Sequence, residues 1–271
     1  MRNAYKPEKA KIIGREEQNA DTVLFRLKLP ADGQKAFEFL PGQFMQVGLM
    51  GWREAPISLC SNPKEAGDYF ELTIRGIGRI TKKLISLKIN DFMLVRGPFG
   101  NGFPEAIDKN LILIGGGCGF APLRSIIEYY SDRQEMEKQI FIGCSSKDTL
   151  YFKNSFAEWQ KNYDLNLILE KGRLPKYSPK SGFVSDLLNK DLVDDALFFV
   201  VGPPVMYKAV VKKLLAKKIS PESIYLSLEK RMYCGQGVCQ HCAIGSKYIC
   251  QDGPVFSLAE LDGVTSIYKP F

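Results

Sequence analysis

Four cysteines near the C-terminus constrain this chain more than any other feature of its sequence. Cys234, Cys239, Cys242 and Cys250 follow the spacing C-x4-C-x2-C-x7-C. The first three match the ligand loop of plant-type [2Fe–2S] sites, and the fourth supplies a further thiolate. Glycines stand between the first two cysteines and give the loop the backbone freedom that wrapping a cluster requires. The spacing therefore predicts a loop that holds a [2Fe–2S] cluster.

The composition is that of a globular protein without a dominant charge. Its 37 basic and 30 acidic side chains leave a net charge of +7, too mild and dispersed to indicate nucleic-acid binding. No stretch approaches the length of a membrane-spanning helix, and residues 1–6 lack the apolar segment of a secretion signal. Seven cysteines in such a chain indicate thiols or metal ligands in a reducing compartment. We therefore expect a cytoplasmic protein.

The chain before residue 107 predicts a small antiparallel β-barrel. Short runs rich in β-forming residues are separated by proline and glycine turns, a pitch typical of such barrels. One helix is expected at residues 80–87. The predicted strands are residues 23–29, 44–49, 57–60, 69–75 and 92–95.

After residue 107 the pattern changes to that of a parallel α/β sheet. Continuous apolar runs predict strands that are buried on both faces, and helix-like segments separate them. Residues 122–130 form one such helical segment, and the lysine- and proline-rich residues 171–181 indicate a surface loop. The predicted strands are residues 111–114, 140–142, 165–169, 196–201 and 224–228.

Two loops of this predicted sheet are candidates for binding a nucleotide. Residues 115–119, rich in glycine, follow the first strand and precede a helix, which brings backbone N–H groups to a pyrophosphate. Residues 202–206 follow the fourth strand, and ligands of open α/β sheets bind at such carboxyl ends. The alternative for each is a tight strand-to-helix turn, because the first loop lacks the G-x-G-x-x-G fingerprint.

Two segments of the predicted barrel are candidates for a second ligand. Residues 53–61 combine an arginine, a proline and serines along a strand. Residues 75–81 place arginines, glycines and a threonine ahead of the predicted helix, which suits a diphosphate. The alternative for both is an ordinary strand edge or turn.

The combination of these motifs resembles the ferredoxin–NADP reductase superfamily. Such proteins join an FAD-binding barrel to an NAD(P)-binding domain with a GGxGxAP-type loop and a later G-P-P-x-M loop. Residues 228–256, which contain the four cysteines, look very like the gamma subunit of NAD(P)-linked sulfhydrogenases and the electron-transfer subunit of anaerobic sulfite reductase. The electron-transfer subunit of dihydroorotate dehydrogenase is a more distant relative. The resemblance covers nearly the whole chain.

This resemblance implies three units and the residues that bind each cofactor. The units are an FAD-binding barrel (1–106), an NAD(P)-binding α/β domain (107–226) and a [2Fe–2S] module (227–271). The residues implied for FAD are Pro56, Ile57 and Ser58 along the isoalloxazine and Arg75, Gly78 and Thr81 near the diphosphate. Those implied for NAD(P) are Gly116, Gly117, Gly119 and Ala121, with Gly202, Pro203 and Met206 near the nicotinamide. The four cysteines are the implied cluster ligands.

One position departs from the superfamily's R-x-[YF]-[ST] flavin motif. Ala55 stands in place of the arginine and Ile57 in place of the aromatic residue. Arg53 lies two residues earlier, on the same face of a strand, and is one candidate substitute; Arg75 is the other. The sulfhydrogenase-like branch carries an E-x-P-I-S type sequence here, so the departure is in keeping with that branch.

These features predict a subunit that transfers electrons between NAD(P)H, FAD and a [2Fe–2S] cluster. A hydride carries two electrons and an iron–sulfur centre accepts one at a time, so a flavin between them connects the two. No acid–base pair is needed for the hydride step, which fits a chain with one histidine. The expected partners are catalytic and iron–sulfur subunits of a hydrogenase, a sulfur or sulfite reductase, or a dehydrogenase.

Two other functions stay open at this point. A self-contained NAD(P)H reductase of ferredoxin, or of another soluble acceptor, would differ only in its partner. A binding module with structural zinc is the second alternative, because C-x2-C occurs in zinc sites as well. The x4 gap and its glycines favour iron–sulfur over zinc.

Several single residues have a simpler interpretation. His241 is interpreted as a bystander or a group at the cluster edge, because four cysteines already complete a ligand set. Cys60 and Cys118 are interpreted as small buried apolar residues rather than reactive thiols. In the loop 143–148, a lysine and serines slightly favour NADP, whereas Asp148 suits the free 2′-hydroxyl of NAD.

Overall fold

The computed structural model describes residues 5–30, 37–67, 69–105, 107–178, 180–261 and 263. The strands are β1 (Glu8–Asn19), β2 (Thr22–Lys28), β3 (Phe44–Gly48), β4 (Ala55–Ser58), β5 (Phe70–Arg75), β6 (Phe92–Phe99), β7 (Asn110–Gly116), β8 (Lys138–Cys144), β9 (Asp164–Leu169), β10 (Ala196–Val201), β11 (Ile224–Ser227), β12 (Ala243–Ile244), β13 (Lys247–Tyr248) and β14 (Val255–Ser257). The helices are α1 (Arg79–Ile85), α2 (Phe120–Tyr129), α3 (Phe156–Asn162), α4 (Val184–Leu187), α5 (Pro204–Ala216) and α6 (Ile249–Asp252). Among the described residues, no helix combines the length and the apolar character needed to cross a bilayer.

The predicted antiparallel barrel is confirmed. Its strand order is β4-β3-β6-β1-β2-β5, and every neighbouring pair runs antiparallel. Beyond β4, Leu59 pairs with Leu72 of β5, which brings the two edge strands together and closes the sheet. Apolar side chains from all six strands meet inside and form a core of their own.

The barrel contains one strand that the sequence pattern did not reveal. Strand β1 has twelve residues and pairs with both β2 and β6. Ala10 and Ile12 point into the barrel and are fully buried, while charged residues cover its other face. Because many residues of this segment are charged, the alternation of buried and exposed side chains along the strand, which has a period of two, is not apparent from the sequence.

The predicted parallel α/β sheet is also confirmed. Strands β9, β8, β7, β10 and β11 run parallel in that order, with helices packed on both faces. From β7 the chain adds β8 and β9 on one side of that strand. It then returns to form β10 on the other side of β7 and continues outward to β11. Ligands of open α/β sheets bind at such a reversal, outside the carboxyl ends of the two central strands.

The C-terminal segment packs tightly onto this sheet. Strand β14 pairs antiparallel with β11 and becomes the sixth strand. Cys242 and Cys250 lie in the same apolar cluster as Phe198 of β10 and Tyr207 of α5. The segment that carries the cysteines therefore shares its core with the parallel sheet, and the boundary at residue 226 stays a prediction.

Candidate functional site

A cleft of about 390 Å³ lies between the barrel and the parallel sheet. Three parts of the chain form its walls: the barrel with α1, the parallel sheet with its glycine loop and α2, and the C-terminal segment. The residues from the barrel are Phe44, Ala55, Pro56, Ile57, Ser58, Thr73, Arg75, Ile77 and Thr81. Those from the sheet are Cys118, Ala121, Pro122 and Val201, and those from the C-terminal segment are residues 227–232 and Pro254.

Most residues predicted for the flavin lie on the barrel wall of this cleft. Strand β4 places Pro56, Ile57 and Ser58 along it, next to Arg75 and Thr81. Gly78 stands behind them at the start of α1, where its backbone N–H donates to the Thr81 hydroxyl at 2.8 Å. This hydrogen bond holds the first turn of α1 against the cleft.

Arg75 spans the gap between the two domains. Its Nε donates to Asp21 at 2.8 Å, and Nη1 lies 3.8 Å from the sulfur of Cys118 in the glycine loop. The hydrogen bond to Asp21 is the main cause that raises the pKa of the guanidinium. Arg75 is the one cation that the barrel contributes to the described lining of the cleft.

Arg53, the other candidate for the flavin phosphate, lies elsewhere. It lines a separate surface pocket with Trp52, and its guanidinium lies 5.9 Å from the ring of Tyr233. Ala55 does line the cleft, although its side chain offers no charge or hydrogen bond. The structure therefore brings Arg75, and not Arg53, to the cleft.

The two cysteines outside the C-terminal loop differ in environment. Cys60 is fully buried, and burial raises the pKa of its thiol to about 12, as expected for an inert residue. The expectation that Cys118 is also buried is wrong. Its thiol is exposed, because the glycine loop turns it toward the cleft, where the Tyr151 hydroxyl lies 3.6 Å away.

The two predicted nucleotide loops meet at the carboxyl ends of β7 and β10. A Cβ on Gly116 would lie 2.4 Å from the sulfur of Met206, and one on Gly119 would lie 2.2 Å from the carbonyl oxygen of Val201. Gly202 and Pro203 complete the contact, and Ala121 reaches the cleft from α2. At Gly119 a side chain is excluded by the Val201 backbone, and at Gly116 the Met206 side chain fills the space.

Gly117 differs from its neighbours in facing open space. Its φ is +55°, and a Cβ at this position would meet no atom within 4 Å. The loop therefore leaves an unfilled space above the carboxyl end of β7. Backbone N–H groups at such a position suit a pyrophosphate.

Two kinds of contact connect the C-terminal cysteines. The sulfurs of Cys242 and Cys250 lie 3.2 Å apart, and the backbone N–H of Cys239 donates to the sulfur of Cys234 at 3.4 Å. In the part of the chain that the structure describes, no three or more His, Cys, Asp or Glu side chains are grouped so as to hold a single metal ion. All four cysteines nevertheless belong to one short segment in which backbone N–H groups and sulfurs contact one another.

Backbone N–H groups of the loop point at these sulfurs. Gln236 donates to Cys234 at 3.3 Å, and Gly237 donates to Cys250 at 3.1 Å. Gly237 has a φ of +74°, and a Cβ there would overlap the side chain of Gln251. Such donors stabilise thiolates, so the loop already has the polarity that a cluster requires.

The thiols of the loop differ in acidity. Burial opposes ionisation of Cys239, but backbone hydrogen bonds, first that at His241, outweigh it and lower its pKa to about 7. Burial and the neighbouring Cys242 thiol raise the pKa of Cys250 to about 12. A positively charged metal centre would favour the thiolate form of both.

His241 lies at the exposed rim of this loop. Its Nδ1 is 2.9 Å from the carbonyl oxygen of Cys239, and its ring packs edge-on against Tyr233 at 4.6 Å. The ring therefore makes its contacts with the backbone and with another ring, at the edge of the group of thiols.

Sequence reasoning missed two residues of this site. Arg96 of β6 binds the carbonyl oxygens of Tyr233 and Cys234, although its sequence context is typical of a turn. Glu229 lines the cleft and is exposed to its open mouth, while protein surrounds the carboxyl on the other sides; this partial loss of hydration raises the pKa of its carboxyl. Only its position five residues before the first cysteine could have drawn attention to it.

Three family models match successive parts of the chain. Residues 9–103 match an oxidoreductase FAD-binding domain, and residues 113–212 match an oxidoreductase NAD-binding domain. Residues 229–262 match the iron–sulfur cluster binding domain of dihydroorotate dehydrogenase B. The cleft lies between the first two matches, and the four cysteines lie within the third.

Known proteins share this arrangement over nearly the whole chain. Sulfhydrogenase 2 subunit gamma of Pyrococcus furiosus is 39% identical over 94% of this chain and 96% of its own. A probable electron-transfer subunit of dihydroorotate dehydrogenase B from Thermoplasma volcanium is 30% identical over 92% and 88%. A solved structure of an NADH-dependent reduced ferredoxin–NADP oxidoreductase superposes with a TM-score of 0.77 at 25% identity, covering 99% of this chain and 94% of that one.

The match to these relatives extends from the barrel through the cysteine loop, so all three functional parts are shared. This chain therefore belongs to the family of ferredoxin–NADP reductase-like electron-transfer subunits that includes the sulfhydrogenase gamma subunits and the electron-transfer subunits of dihydroorotate dehydrogenase B.

Proposed function

We propose that this subunit carries electrons between NAD(P)H and a partner redox subunit through FAD in the cleft and a [2Fe–2S] cluster in the cysteine loop. One observation supports this path above all. Residues 227–232 line the cleft, and Cys234 follows two positions later. The same short segment thus borders the flavin site and begins the cluster loop.

The barrel wall of the cleft supplies the proposed flavin contacts. Pro56, Ile57 and Ser58 would lie along the isoalloxazine, with Gly78 and Thr81 at the diphosphate end. Arg75 replaces the missing family arginine as the phosphate partner, because it is the barrel cation that lines the cleft. Its hydrogen bond to Asp21 would hold the guanidinium in position before FAD binds.

The opposite wall receives the nicotinamide nucleotide in this proposal. Gly116, Gly117, Gly119 and Ala121 would contact the nucleotide along the glycine loop, and Gly202, Pro203 and Met206 would lie near the nicotinamide. The 2′-position of the adenosine would lie near Ser145 and Lys147. The backbone N–H of Lys171 donates to the Ser145 carbonyl oxygen at 2.9 Å, so a second exposed lysine stands beside this loop and favours NADPH.

The cluster that we propose is of the [2Fe–2S] type. Cys234 and Cys239 would bind one iron, and Cys242 and Cys250 the other. The contact between the Cys242 and Cys250 sulfurs and the backbone N–H groups that donate to the Cys234 and Cys250 sulfurs support this assignment. When bound, FAD and the cluster supply the conversion between hydride and single electrons, while the chain positions them and excludes water.

The proposed partner is a catalytic or iron–sulfur subunit of a larger complex. The relatives are named as subunits of sulfhydrogenases and of dihydroorotate dehydrogenase B. The charged and polar contacts proposed in the cleft serve the flavin and the nicotinamide nucleotide, and its C-terminal wall leads to the cluster loop. A terminal substrate would accordingly react on the partner.

An absorption spectrum of anaerobically purified protein tests the proposal. We expect flavin bands with a broad iron–sulfur shoulder, bleached by NADPH and more slowly by NADH, and about two irons per chain. Cys239→Ser should remove iron and the shoulder, whereas Cys60→Ala, the matched control, should keep both. Flavin alone, or zinc in place of iron, would contradict the cluster. Equal spectra for Cys239→Ser and wild type would contradict the ligand assignment.

A further inference from the structure

Large apolar side chains are exposed together on the barrel, beside the cysteine loop. Met50 is 78% exposed and Trp52 is 42% exposed, both in the turn between β3 and β4. Tyr233, which directly precedes Cys234, is 38% exposed and lines the same pocket. We call Met50, Trp52, Arg53 and Tyr233 the Trp52 surface. Exposed apolar groups gathered in this way mark interaction sites.

This surface continues to the edge of the cysteine loop. The Arg53 guanidinium lies 5.9 Å from the ring of Tyr233, and that ring packs against His241 at 4.6 Å. His241 stands between two cysteines, and Val238, within the loop, is 66% exposed. The Trp52 surface and the rim of the cluster site thus form one continuous face.

The other sides of the loop are covered by the protein itself. Phe99 of the barrel packs against Gly235, where an added Cβ would lie 2.9 Å from the ring. Cys242 and Cys250 are each 1% exposed and belong to the core of the parallel sheet. The side that bears Tyr233 and His241 is therefore where another redox centre can approach the cluster.

The charge of this face is positive. Lys83 lies with its Nζ 5.7 Å from the ring of Trp52, and neither Lys83 nor Arg53 forms an ion pair with a carboxylate in the described ranges of the chain. Glu54, the acid in this pocket, is held by Arg96. Trp, Tyr, Arg and Met are the residue types that are enriched where proteins bind one another.

We propose that the Trp52 surface is the docking site of the partner redox subunit, and that the partner meets it with an apolar centre surrounded by carboxylates. This inference rests on the proposed function, because the surface matters only if electrons leave or enter at the cluster. One NAD(P)H releases two electrons and a proton and becomes NAD(P)⁺. The electrons cross this face one at a time. They reduce two one-electron centres of the partner, or one such centre in two successive turnovers of the partner.

The test uses the full-length protein with both cofactors and a purified acidic ferredoxin as the probe. NAD(P)H is the donor, and reduction of ferredoxin is compared with reduction of ferricyanide, which needs no docking surface. In the double variant Met50→Ala/Trp52→Ala, we expect the KM for ferredoxin to rise about tenfold, as for loss of a central contact. Lys83→Glu should raise it as well and weaken its dependence on salt. Ferricyanide rates should stay within about twofold of wild type.

Leu215→Ala is the matched control, since Leu215 is 44% exposed on α5 and lies outside the Trp52 surface. It should leave both reactions unchanged. Unchanged ferredoxin kinetics in the double variant and in Lys83→Glu would overturn the docking site. So would wild-type protein that is bleached by NAD(P)H but shows no saturable reduction of the acidic ferredoxin.

Sedimentation of the same proteins tests whether a second copy of the chain, instead of a redox partner, occupies this surface. A wild-type dimer that the double variant converts to a monomer would assign this surface to a second copy of the chain and overturn the proposal. A failure of NAD(P)H to bleach the wild-type protein would instead refute the proposed function. The two failures are therefore distinguishable.

Discussion

Arg96 of the barrel donates a hydrogen bond from Nη1 to the carbonyl oxygen of Cys234, at 3.1 Å. The same guanidinium binds the Glu54 carboxylate through Nε at 2.9 Å, and its side chain is 7% exposed. One buried side chain thus connects the flavin-side barrel to the first residue of the cysteine loop. This contact ties the start of the loop to the barrel wall.

We expect Arg96→Ala to lower the free energy of unfolding by about 3 kcal/mol, because it leaves the Glu54 charge and two carbonyl oxygens without their partner. The iron content should fall with it, because the loop loses its contact with the barrel. Arg96→Lys keeps the charge but not the planar fork, so an intermediate effect is expected. Thermal melts and iron analysis measure both. Wild-type values for Arg96→Ala would show that the loop holds its position without the barrel.

A second buried charge joins the barrel to the parallel sheet. Glu71 is 2% exposed and accepts from Arg26 at 2.9 Å and from Arg124 of α2 at 2.7 Å. Glu71→Gln should destabilise the protein by about 2 kcal/mol, because it weakens the charged hydrogen bonds from Arg26 and Arg124 and leaves Glu128 as the remaining carboxylate on the largely buried Arg124 guanidinium. Lys64→Ala is the control, since the exposed pair of Lys64 and Asp132 joins the same two domains. It should cost less than about 1 kcal/mol. Similar melting temperatures for the two variants would contradict this difference.

A substitution at Gly117 tests whether the glycine loop contacts the nicotinamide nucleotide. A valine there must adopt a positive φ and would fill the open space above β7. We expect the Kd for NAD(P)H, measured by fluorescence titration, to rise at least about tenfold. Gly51→Val is matched in strain, because Gly51 has a φ of +76° and also faces open space, but it lies in the β3–β4 turn. Equal affinity in Gly117→Val and Gly51→Val would mean that the glycine loop does not contact the nucleotide.

Glu229 should make stability depend on pH. The protein around this exposed carboxyl partly removes its hydration and raises its pKa above the ordinary value of 4.5, so the folded state holds the proton more tightly than the unfolded chain. Its contribution is neutral below the unfolded pKa and becomes increasingly unfavourable as the pH rises to the folded value. Glu229→Gln should therefore melt higher than wild type at pH 7 and at the same temperature near about pH 4. An equal gain at both pH values would point to packing instead of ionisation.

The sequence was most informative where one element carries its own pattern. The apolar runs that form β7 and β10 are buried on both faces, so each strand can be predicted from its own residues alone. The opposite holds for β1, whose outward face is so charged that only pairing with β2 and β6 identifies it. Arg53 and Arg75 could not be ranked by spacing, because which arginine reaches the cleft depends on how the barrel closes.

The chain by itself determined the two domain types, the cysteine loop and the glycine loop, because each depends on residues close in sequence. Only the tertiary structure decided that Cys118 faces the cleft, that Arg75 reaches it, and that Arg96 holds the cysteine loop. These relations join residues separated by tens of positions or more, through contacts that form only when strands from different parts of the chain pack together. Local propensity and periodicity carry no information about such contacts. The strength of each contact depends on how far its charged groups are buried in the folded protein.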